Sequence, residues 1–442
     1  MAHDLGIEGG RVVSPDGSAE QNVYVRDGRI DAITTEREDA RECVDAAGLL
    51  VFPGMVDAHV HLMDPGDRTR EDFPAGTSAA ARAGVTTVVE HTHAAPVVSA
   101  ADLLAKREHL IDRARVDFAL AAHAWPGRQN EVPGVWRAGA AFVKAFTCTT
   151  HGLPGFAAGP LRDLFAAVAD ARAVCLVHCE DEALTHDAET ALRASGREDG
   201  GIVPQWRNRE AELKALRRTA GLAQATGARV VAAHVSHIEA LRAADGLVVE
   251  TCPQYLTLTE REVDEFGAFR KFTPPARARS SDDLAAMWRA LADGRIDYVS
   301  SDHAPATVEQ KRSGSIWDVH FGLPGLDTTL SVLLDGAHQG RITYERVCEV
   351  YAQVPARLYG LAPAKGSLRP ATDADIVLVD PEERWTVRDE DVRSKAGWSP
   401  YAGRTLVGRA VRTYLRGEPV ARDGDVVAEP GRGRFVPGAG AN

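Results

Sequence analysis

Two histidines separated by one residue are the first side chains in this 442-residue sequence whose spacing suggests chemistry. His59 and His61 end the apolar run MVDAHVH, with Val60 between them. On a β-strand, residues two positions apart face the same side, so both imidazoles can point at one centre. Imidazole nitrogens suit zinc and similar divalent ions. The spacing therefore indicates a pair of metal ligands.

Four further ionisable side chains lie in or at the ends of later apolar runs: Lys144, His178, His234 and Asp302. A single histidine in such a position is usually an ordinary polar residue. Together, however, four histidines, one carboxylate and one lysine exceed the needs of one tetrahedral site. The set indicates two metal ions that share a bridging ligand.

Lys144 is the unusual member, because a protonated ammonium would be repelled by dications. Burial in an apolar strand lowers the pKa of a lysine, and the neutral amine is a nucleophile. Such an amine can capture carbon dioxide as a carbamate, which is a carboxylate able to bridge two metals. The alternative is a lysine that reaches the rim of the fold or pairs with an acid.

The elements that must position these groups follow from the pattern of the middle region, where short apolar runs alternate with amphipathic helical stretches. Continuous apolar strands between helices indicate a parallel sheet buried on both faces. Eight such units predict an α/β fold of the (β/α)8, or TIM barrel, type, whose catalytic residues sit at the carboxyl ends of the strands. The eight runs are MVDAHVH, VTTVVE, VDFALAAH, AAFVKAFT, AVCLVHC, RVVAAHV, GLVVET and IDYVSSD.

Short strands joined by tight turns flank this region at both ends of the sequence. Turn signals such as SPDG separate the N-terminal apolar runs. The same pattern of short apolar runs and turns occurs near the C-terminus, in ADIVLVDPEERWTV and VRTYLRGEPVARDGDVV. We therefore expect a small β-sandwich domain built from residues 1–52 and 365–442, with the barrel formed by residues 53–364. The final GRGRFVPGAGAN has the composition of a loose tail.

Composition excludes several classes of protein. Lys and Arg total 51 against 63 Asp and Glu, giving a net charge of −12 that argues against a nucleic-acid or anionic-membrane binder. The six cysteines are scattered, which argues against a disulfide framework. No leader-like segment or long apolar stretch is present in the sequence, so we expect a soluble, cytoplasmic protein.

Taken together, these motifs resemble the amidohydrolase superfamily, in the cyclic amidase branch of allantoinases, hydantoinases, dihydropyrimidinases and dihydroorotases. The resemblance runs through nearly the whole chain. It rests on PGMVDAHVHLMDPG, EDFPAGTSAAARAGVTTVVE, FVKAF, VHCED, AAHVSH, VETCPQYLTL, FTPPARA, SSDHAP and SPYAGRTLVGRAVRTYLRG.

The resemblance implies a role for each of the six ionisable residues. His59, His61 and Asp302 would hold one metal, His178 and His234 the other, and a carboxylated Lys144 would bridge them. In this family a bridging hydroxide attacks a cyclic amide carbonyl while the aspartate moves its proton to the leaving nitrogen. Zn²⁺ is the expected metal, with Mn²⁺, Co²⁺ and Fe²⁺ as alternatives. A non-catalytic scaffold on the same fold is the competing hypothesis, which the complete ligand set disfavours.

Departures from the family patterns bear on the substrate. Met63 stands where dihydroorotases carry an arginine, and Thr273 replaces an asparagine of theirs, so dihydroorotate is disfavoured. Thr149 occupies the place of a hydantoinase tyrosine. The segments VKAFTCTTHGLPGF and SPYAGRTLVGRAVRT resemble allantoinase most. We therefore expect allantoinase-like ureide ring opening, with hydantoinase, dihydropyrimidinase or cyclic imide hydrolase activity as alternatives.

Substrate contacts are predicted near the metal ligands. Two extra histidines, His91 and His93, follow the second run, where they could bind substrate, carry protons or simply form hydrogen bonds at the rim. By resemblance we also expect a small cyclic amide, ureide or imide as the ligand, and a homodimer or homotetramer. The predicted substrate contacts are Met63, His93, Thr149, His237, Thr273, His303, Gly322 and Pro324.

Overall fold

The computed structural model describes residues 2–441 of the chain. Its N-terminal part consists of five strands joined by tight turns. Gly28 sits in one of these turns with a φ of +75°, a value that favours glycine. The strands are β1 (His3–Ser14), β2 (Gly17–Arg26), β3 (Arg29–Thr34), β4 (Ala40–Asp45) and β5 (Leu50–Pro53).

The eight predicted barrel strands all occur, and the prediction of a TIM barrel is confirmed. Every residue of the first two barrel strands, MVDAHV and VTTVVE, is buried. This is expected for a parallel sheet covered on both faces. The third strand is split at Ala121 into two pieces. The strands are β6 (Met55–Val60), β7 (Val85–Glu90), β8 (Asp117–Leu120), β9 (Ala122–His123), β10 (Val143–Phe146), β11 (Val174–His178), β12 (Arg229–Ala232), β13 (Val248–Thr251) and β14 (Tyr298–Val299).

Helices follow the barrel strands, and side-chain caps fix where many of them begin. Asp72, Ser99 and Ser280 each accept a hydrogen bond from the backbone N–H three residues later. The helices are α1 (Phe73–Arg82), α2 (Ala100–Leu110), α3 (Val132–Arg137), α4 (Ala158–Asp170), α5 (Glu182–Ala194), α6 (Ile202–Trp206), α7 (Arg209–Thr226), α8 (Ile238–Ala243), α9 (Pro253–Thr257), α10 (Glu262–Phe266), α11 (Ser281–Ala292), α12 (Val308–Arg312), α13 (Thr329–His338), α14 (Tyr344–Cys348) and α15 (Val354–Leu358). Within residues 2–441, no helix combines the length and apolar character needed to cross a bilayer.

The barrel closes between its first and last strands. Strands β6, β7 and β8 pair in parallel, as do β9 to β14. Val60 forms a parallel bridge with His303, just beyond β14, and the backbone N–H of His61 donates to the carbonyl of His303 at 2.7 Å. The closing contact therefore involves residues that adjoin three of the predicted metal ligands.

Four C-terminal strands complete the sheet begun by the N-terminal ones: β15 (Ile376–Thr386), β16 (Thr405–Leu415), β17 (Glu418–Arg422) and β18 (Asp425–Val426). The strand order is β18-β17-β16-β15-β5-β1-β2-β3, with β4 beside β1. Strand β15 runs antiparallel to β5, with Ile376 opposite Pro53. A buried cluster that includes Ile7, Val23 and Leu378 joins side chains from both termini. The β-rich domain is thus assembled from both ends of the chain.

The C-terminal segment differs from the loose tail expected from its composition. The backbone N–H of Phe118 in β8 donates to the carbonyl of Arg434 at 2.9 Å, and Val436 N–H donates to the carbonyl of Phe118 at 2.8 Å. The rings of Phe118 and Phe435 also pack at a centroid distance of 5.7 Å. Because these backbone bonds do not depend on side-chain type, a Gly-rich segment can be ordered without an apolar pattern.

Candidate metal centre

All six predicted metal ligands meet at the mouth of the barrel, around a pocket of about 340 Å³. Each lies inside a strand or within three residues of its carboxyl end, and parallel strands bring those ends together. The pocket is lined by His59, His61, His93, Lys144, Phe146, His151, His178, His234, Phe272, Thr273, Asp302, Ala304, Phe321 and Gly322.

One group of ligands forms around Asp302. Its Oδ1 lies 3.3 Å from Nε2 of His59 and 3.4 Å from Nε2 of His61. Tetrahedral ligands bound at about 2.0–2.1 Å from a zinc ion lie about 3.3 Å from one another. Both distances to Asp302 therefore match the spacing of ligands around one ion.

The second group consists of His178 and His234. Nδ1 of His178 lies 3.0 Å from Nε2 of His234. Burial holds the pKa of both imidazoles below the usual range, with the lysine and neighbouring histidines adding to the effect at His234. Neutral imidazoles are the form that binds metals, so this pair fits a second ion.

The outward-facing nitrogens of these rings are occupied by hydrogen bonds. Nδ1 of His59 pairs with Oε2 of Glu250 at 2.9 Å. The same carboxylate oxygen accepts the backbone N–H of His234 at 3.0 Å. Nδ1 of His61 pairs with the carbonyl oxygen of His91 at 3.0 Å. Such bonds fix the tautomer and orientation of metal-binding imidazoles.

Glu180 plays the same part for the second group, at the centre of a buried network. Its Oε2 pairs with Nε2 of His178 at 2.9 Å and accepts the Thr273 hydroxyl at 2.7 Å. Burial would raise the pKa of this carboxyl, but Arg207, His178 and Arg277 outweigh it and lower the pKa to about 2. The carboxylate is therefore charged and keeps the His178 ring oriented.

Lys144 lines the same pocket as both groups and is 1% exposed. Among residues 2–441, its ammonium nitrogen has no hydrogen-bond partner. Burial lowers the pKa of Lys144, while the negative charges of Glu250 and Asp302 oppose that shift. A buried lysine without an acceptor favours the neutral amine.

Two of the ligands adopt a backbone conformation that side chains with a Cβ rarely take. The φ of His234 is 39° and that of Asp302 is 49°. Residues in this left-handed region are concentrated at functional sites, where the surrounding structure holds them in place. The conformation turns both side chains from their strands toward the pocket.

Three of the eight predicted substrate contacts, His93, Thr273 and Gly322, line the pocket. Gly322 has a φ of +120°, and a Cβ there would lie 2.1 Å from the carbonyl oxygen of Ala304. Only glycine lets these two lining segments approach so closely.

The other five predicted contacts do not line the pocket. Met63 is fully buried and its sulfur accepts a bond from Thr92. His237 bonds to Ser236 near α8, and the Nδ1 of His303 accepts two backbone N–H groups. The remaining two are Thr149, which is exposed, and Pro324, which is buried outside the lining.

His151 is a lining residue that the sequence interpretation did not single out. It follows β10 with a φ of 53°, and its ring stacks on that of His93 at a centroid distance of 4.4 Å. Its other face contacts Phe321 edge-on. The lining residues Phe146, Phe272 and Ala304 were not predicted either. The pocket thus combines aromatic walls with imidazole groups.

Known proteins resemble this chain along its whole length. The model of the amidohydrolase family matches residues 50–404. The chain is 32% identical to L-hydantoinase of Paenarthrobacter aurescens and 36% identical to allantoinase of Rubrobacter xylanophilus, over 98% of each chain in both cases. The solved L-hydantoinase (dihydropyrimidinase) from Arthrobacter aurescens has a TM-score of 0.93 at 31% identity, covering 98% of this chain and 100% of that one.

The matched region includes every barrel strand and all six predicted metal ligands. These relatives are named for different cyclic amides, hydantoin in one case and allantoin in the other. The chain therefore belongs to the amidohydrolase family, among the metal-dependent hydrolases of cyclic amides.

Proposed function

We propose that this protein opens a cyclic ureide ring in an allantoinase-like reaction, with Zn²⁺ as the metal and Lys144 carboxylated by carbon dioxide. The observation that carries the proposal is the pair of ligand groups with the unpartnered Lys144 amine in the same pocket lining. A carbamate on that amine would give each ion an anionic oxygen and would satisfy a buried nitrogen.

Asp302 is the residue that moves protons. Two bound dications supply an activated water and polarise the ring carbonyl. The Asp302 carboxylate accepts a proton from the attacking water as the new C–O bond forms. It then donates that proton to the ring nitrogen as the C–N bond breaks, so the product is an acid with a free amide or ureido nitrogen. Glu180 and Glu250 hold the imidazoles in place throughout.

The polar part of the pocket lining favours a ureide. Allantoin carries a ureido group on its ring, which adds N–H and C=O groups that a hydantoin with an apolar substituent lacks, and burying them without partners would be costly. His151 and the oxygen of Thr273 offer hydrogen bonds to such groups. The 36% identity to an allantoinase supports the same substrate class.

A second candidate is a hydantoin with an apolar 5-substituent. Phe146, Phe272 and Phe321 line the pocket and could pack against such a group. The similarity to L-hydantoinase in sequence and in structure supports this alternative.

A substrate panel tests the proposal. The protein is loaded with Zn²⁺ or Mn²⁺ in the presence of bicarbonate and assayed on allantoin, 5-substituted hydantoins, dihydrouracil, dihydroorotate and simple cyclic imides. We expect the highest kcat/KM for allantoin. Turnover of 5-substituted hydantoins with none of allantoin would replace the first candidate by the second.

The His151→Phe variant sharpens this test. We expect it to raise KM for allantoin, because a polar partner is lost, and to leave turnover of 5-phenylhydantoin unchanged or improved. His186→Phe is the matched control, since His186 is exposed on α5 away from the pocket lining. Equal effects of His151→Phe on both substrates would contradict the role of His151 in selecting a ureide.

A further inference from the structure

A second cluster of histidines lies beside the pocket, outside the two ligand groups. His91 and His93 follow β7, and His123 ends β9 on the neighbouring strand. One ring nitrogen from each of the three lies within 4.8 Å of the others. Three imidazoles on two adjacent strand ends form a ligand set of the kind that holds zinc with one open position.

The ring nitrogens of this cluster lack the partners that buried polar groups normally have. His91 is 1% exposed and His123 is 4% exposed. Both nitrogens of each ring are buried without a hydrogen-bond partner among residues 2–441. Buried polar atoms in proteins nearly always have a partner, so these nitrogens indicate a ligand site in which one ion would bind one nitrogen of each ring.

The cluster does not duplicate the main centre. The His91 ring lies 4.6 Å from the ring of His59 and 4.4 Å from that of His61, between centroids. However, Nδ1 of His59 pairs with Glu250 and Nδ1 of His61 with the His91 carbonyl, while the Nε2 atoms of both rings face Asp302 in the first ligand group. A ring nitrogen of His91 also lies within 4.8 Å of nitrogens of these two rings, but their ligand atoms belong to that first group. The imidazole nitrogens of His91 are therefore free to bind together with those of His93 and His123.

A contrasting cluster shows how a filled site differs. Carboxylate oxygens of Asp117, Asp373 and Asp375 also converge. The ammonium of Lys365 occupies their centre, contacting Asp373 at 2.9 Å and Asp375 at 2.8 Å. That cluster needs no ion, because it has its own cation. Within the described residues, no side chain fills the histidine cluster in this way.

We propose that His91, His93 and His123 bind a third divalent ion, of the zinc class, in addition to the two of the main centre. Small side-chain rotations would bring the three nitrogens from their present spacing to the roughly 3.3 Å expected between tetrahedral ligands. His93 also lines the pocket, so the fourth position is open to water or to an oxygen atom of a bound substrate.

Metal counting tests the third site with Zn²⁺ alone as the probe. The purified protein is stripped, reloaded with zinc in the presence of bicarbonate and dialysed, and its zinc content is measured by mass spectrometry. We expect three ions per chain, and three anomalous peaks at the zinc edge in crystals. Saturation at two ions, with no peak among the three histidines, would overturn the proposal.

The His123→Leu variant separates this site from the main centre. It removes two unpaired nitrogens at similar volume, so we expect a folded protein that loses one zinc and keeps the other two. His186→Leu is the control and should keep three. A His123→Leu variant that binds as much zinc as the wild type would refute the site. If that variant does not fold, the wild-type count and anomalous map decide. Neither readout uses turnover, so failure of the proposed substrate would leave this test intact.

Discussion

Lys144 differs from the other buried lysines of the described chain in what surrounds its ammonium group. Lys106 contacts the carboxylate of Glu90, and Lys365 lies among three aspartates. Lys271 and Lys311 donate to backbone carbonyls. The Lys144 nitrogen alone has neither kind of partner. A lysine in this state is stabilised by losing its charge or by becoming an anion that metals bind.

If Lys144 bridges the two ions as proposed, replacing it by alanine removes their shared ligand. We expect loss of most of the metal bound there and a fall in turnover of at least about 100-fold, because activation of water and carbonyl depends on both ions. Zinc content and kcat are the measurements. Lys214→Ala is the control, because the Lys214 side chain is 52% exposed. A Lys144→Ala variant with normal metal content and rate would show that the lysine is only structural.

Asp302→Asn tests the proton carrier with little change in shape. Asparagine tolerates the positive φ of this position, and its amide oxygen can still face the metal. Proton transfer is lost, so we expect kcat to fall by about 10²–10⁴-fold with folding preserved. The thermal melting temperature and the pH dependence of kcat are measured together. Turnover near that of the wild type would remove Asp302 from this role.

At the residue scale, the sequence predicted which side chains would converge, but not the hydrogen bonds that orient them. His59 and His61 could be predicted because the strand period fixes their common side. Glu250 could not, since its bonds to His59 and to the backbone of His234 join residues on different strands. His151 lies at the pocket with a positive φ, and its residue type does not predict that backbone conformation.

At the element scale, two buried lysines hold the loop of residues 313–322, which ends at the pocket. Lys271 donates to the carbonyl of Val319 at 2.6 Å, and Lys311 donates to that of His320 at 2.8 Å. The next residues, Phe321 and Gly322, line the pocket. Ammonium groups bonded to backbone carbonyls thus position one wall of the site.

Gly322→Ala should damage that wall. A Cβ would meet the Ala304 carbonyl oxygen, which belongs to another lining segment, so the two must move apart. We expect kcat/KM to fall by about 10- to 100-fold, together with a lower melting temperature. Gly403→Ala, at a φ of +82° with no atom near the added Cβ, isolates the cost of backbone strain. Equal effects of the two variants on kcat/KM would contradict the steric explanation.

The barrel strands could be predicted because each is a continuous apolar run between helices. The C-terminal segment could not, since its order comes from backbone bonds to Phe118 that composition does not encode. The break in the third barrel strand at Ala121 also depends on backbone bonds that composition does not encode. The N–H of Ala121 donates to the carbonyl of Glu90, whereas the N–H of Ala122 donates to the carbonyl of Phe142. The third barrel strand therefore pairs with β7 before the break and with β10 after it.

At the scale of the whole molecule, a buried ionic network ties the barrel to the β-rich domain. Lys365 contacts Asp117 in barrel strand β8 and also Asp375, which precedes β15. Burial would lower the pKa of Lys365, but the three aspartates raise it well above its ordinary value. The stabilisation is therefore fully present below the ordinary lysine pKa and is lost only as pH rises through the raised one.

Lys365→Met should leave the buried Asp375 and the partly buried Asp373 without their cation, and Asp117 with Arg416 alone. We expect this to cost about 3–5 kcal/mol of stability near neutral pH. Burial already raises the pKa of Asp375, and removing the cation raises it further, so the acids take up protons as pH falls. We expect the loss of melting temperature to be larger at about pH 8 than at about pH 5. Lys214→Met should show no such difference. A pH-independent loss in Lys365→Met would contradict this account.

The pairing of β5 with β15 also bears on how the chain is made. Pro53 in β5 lies opposite Ile376 in β15, so β5 is synthesised more than 300 residues before the strand that pairs with it. Until β15 emerges, β5 presents unpaired N–H and C=O groups, which is a surface that joins other chains readily. A polypeptide that ends at a nonsense codon within the barrel never acquires β15, so the edge of β5 stays unpaired. Premature termination is therefore expected to yield aggregating fragments instead of a smaller working hydrolase.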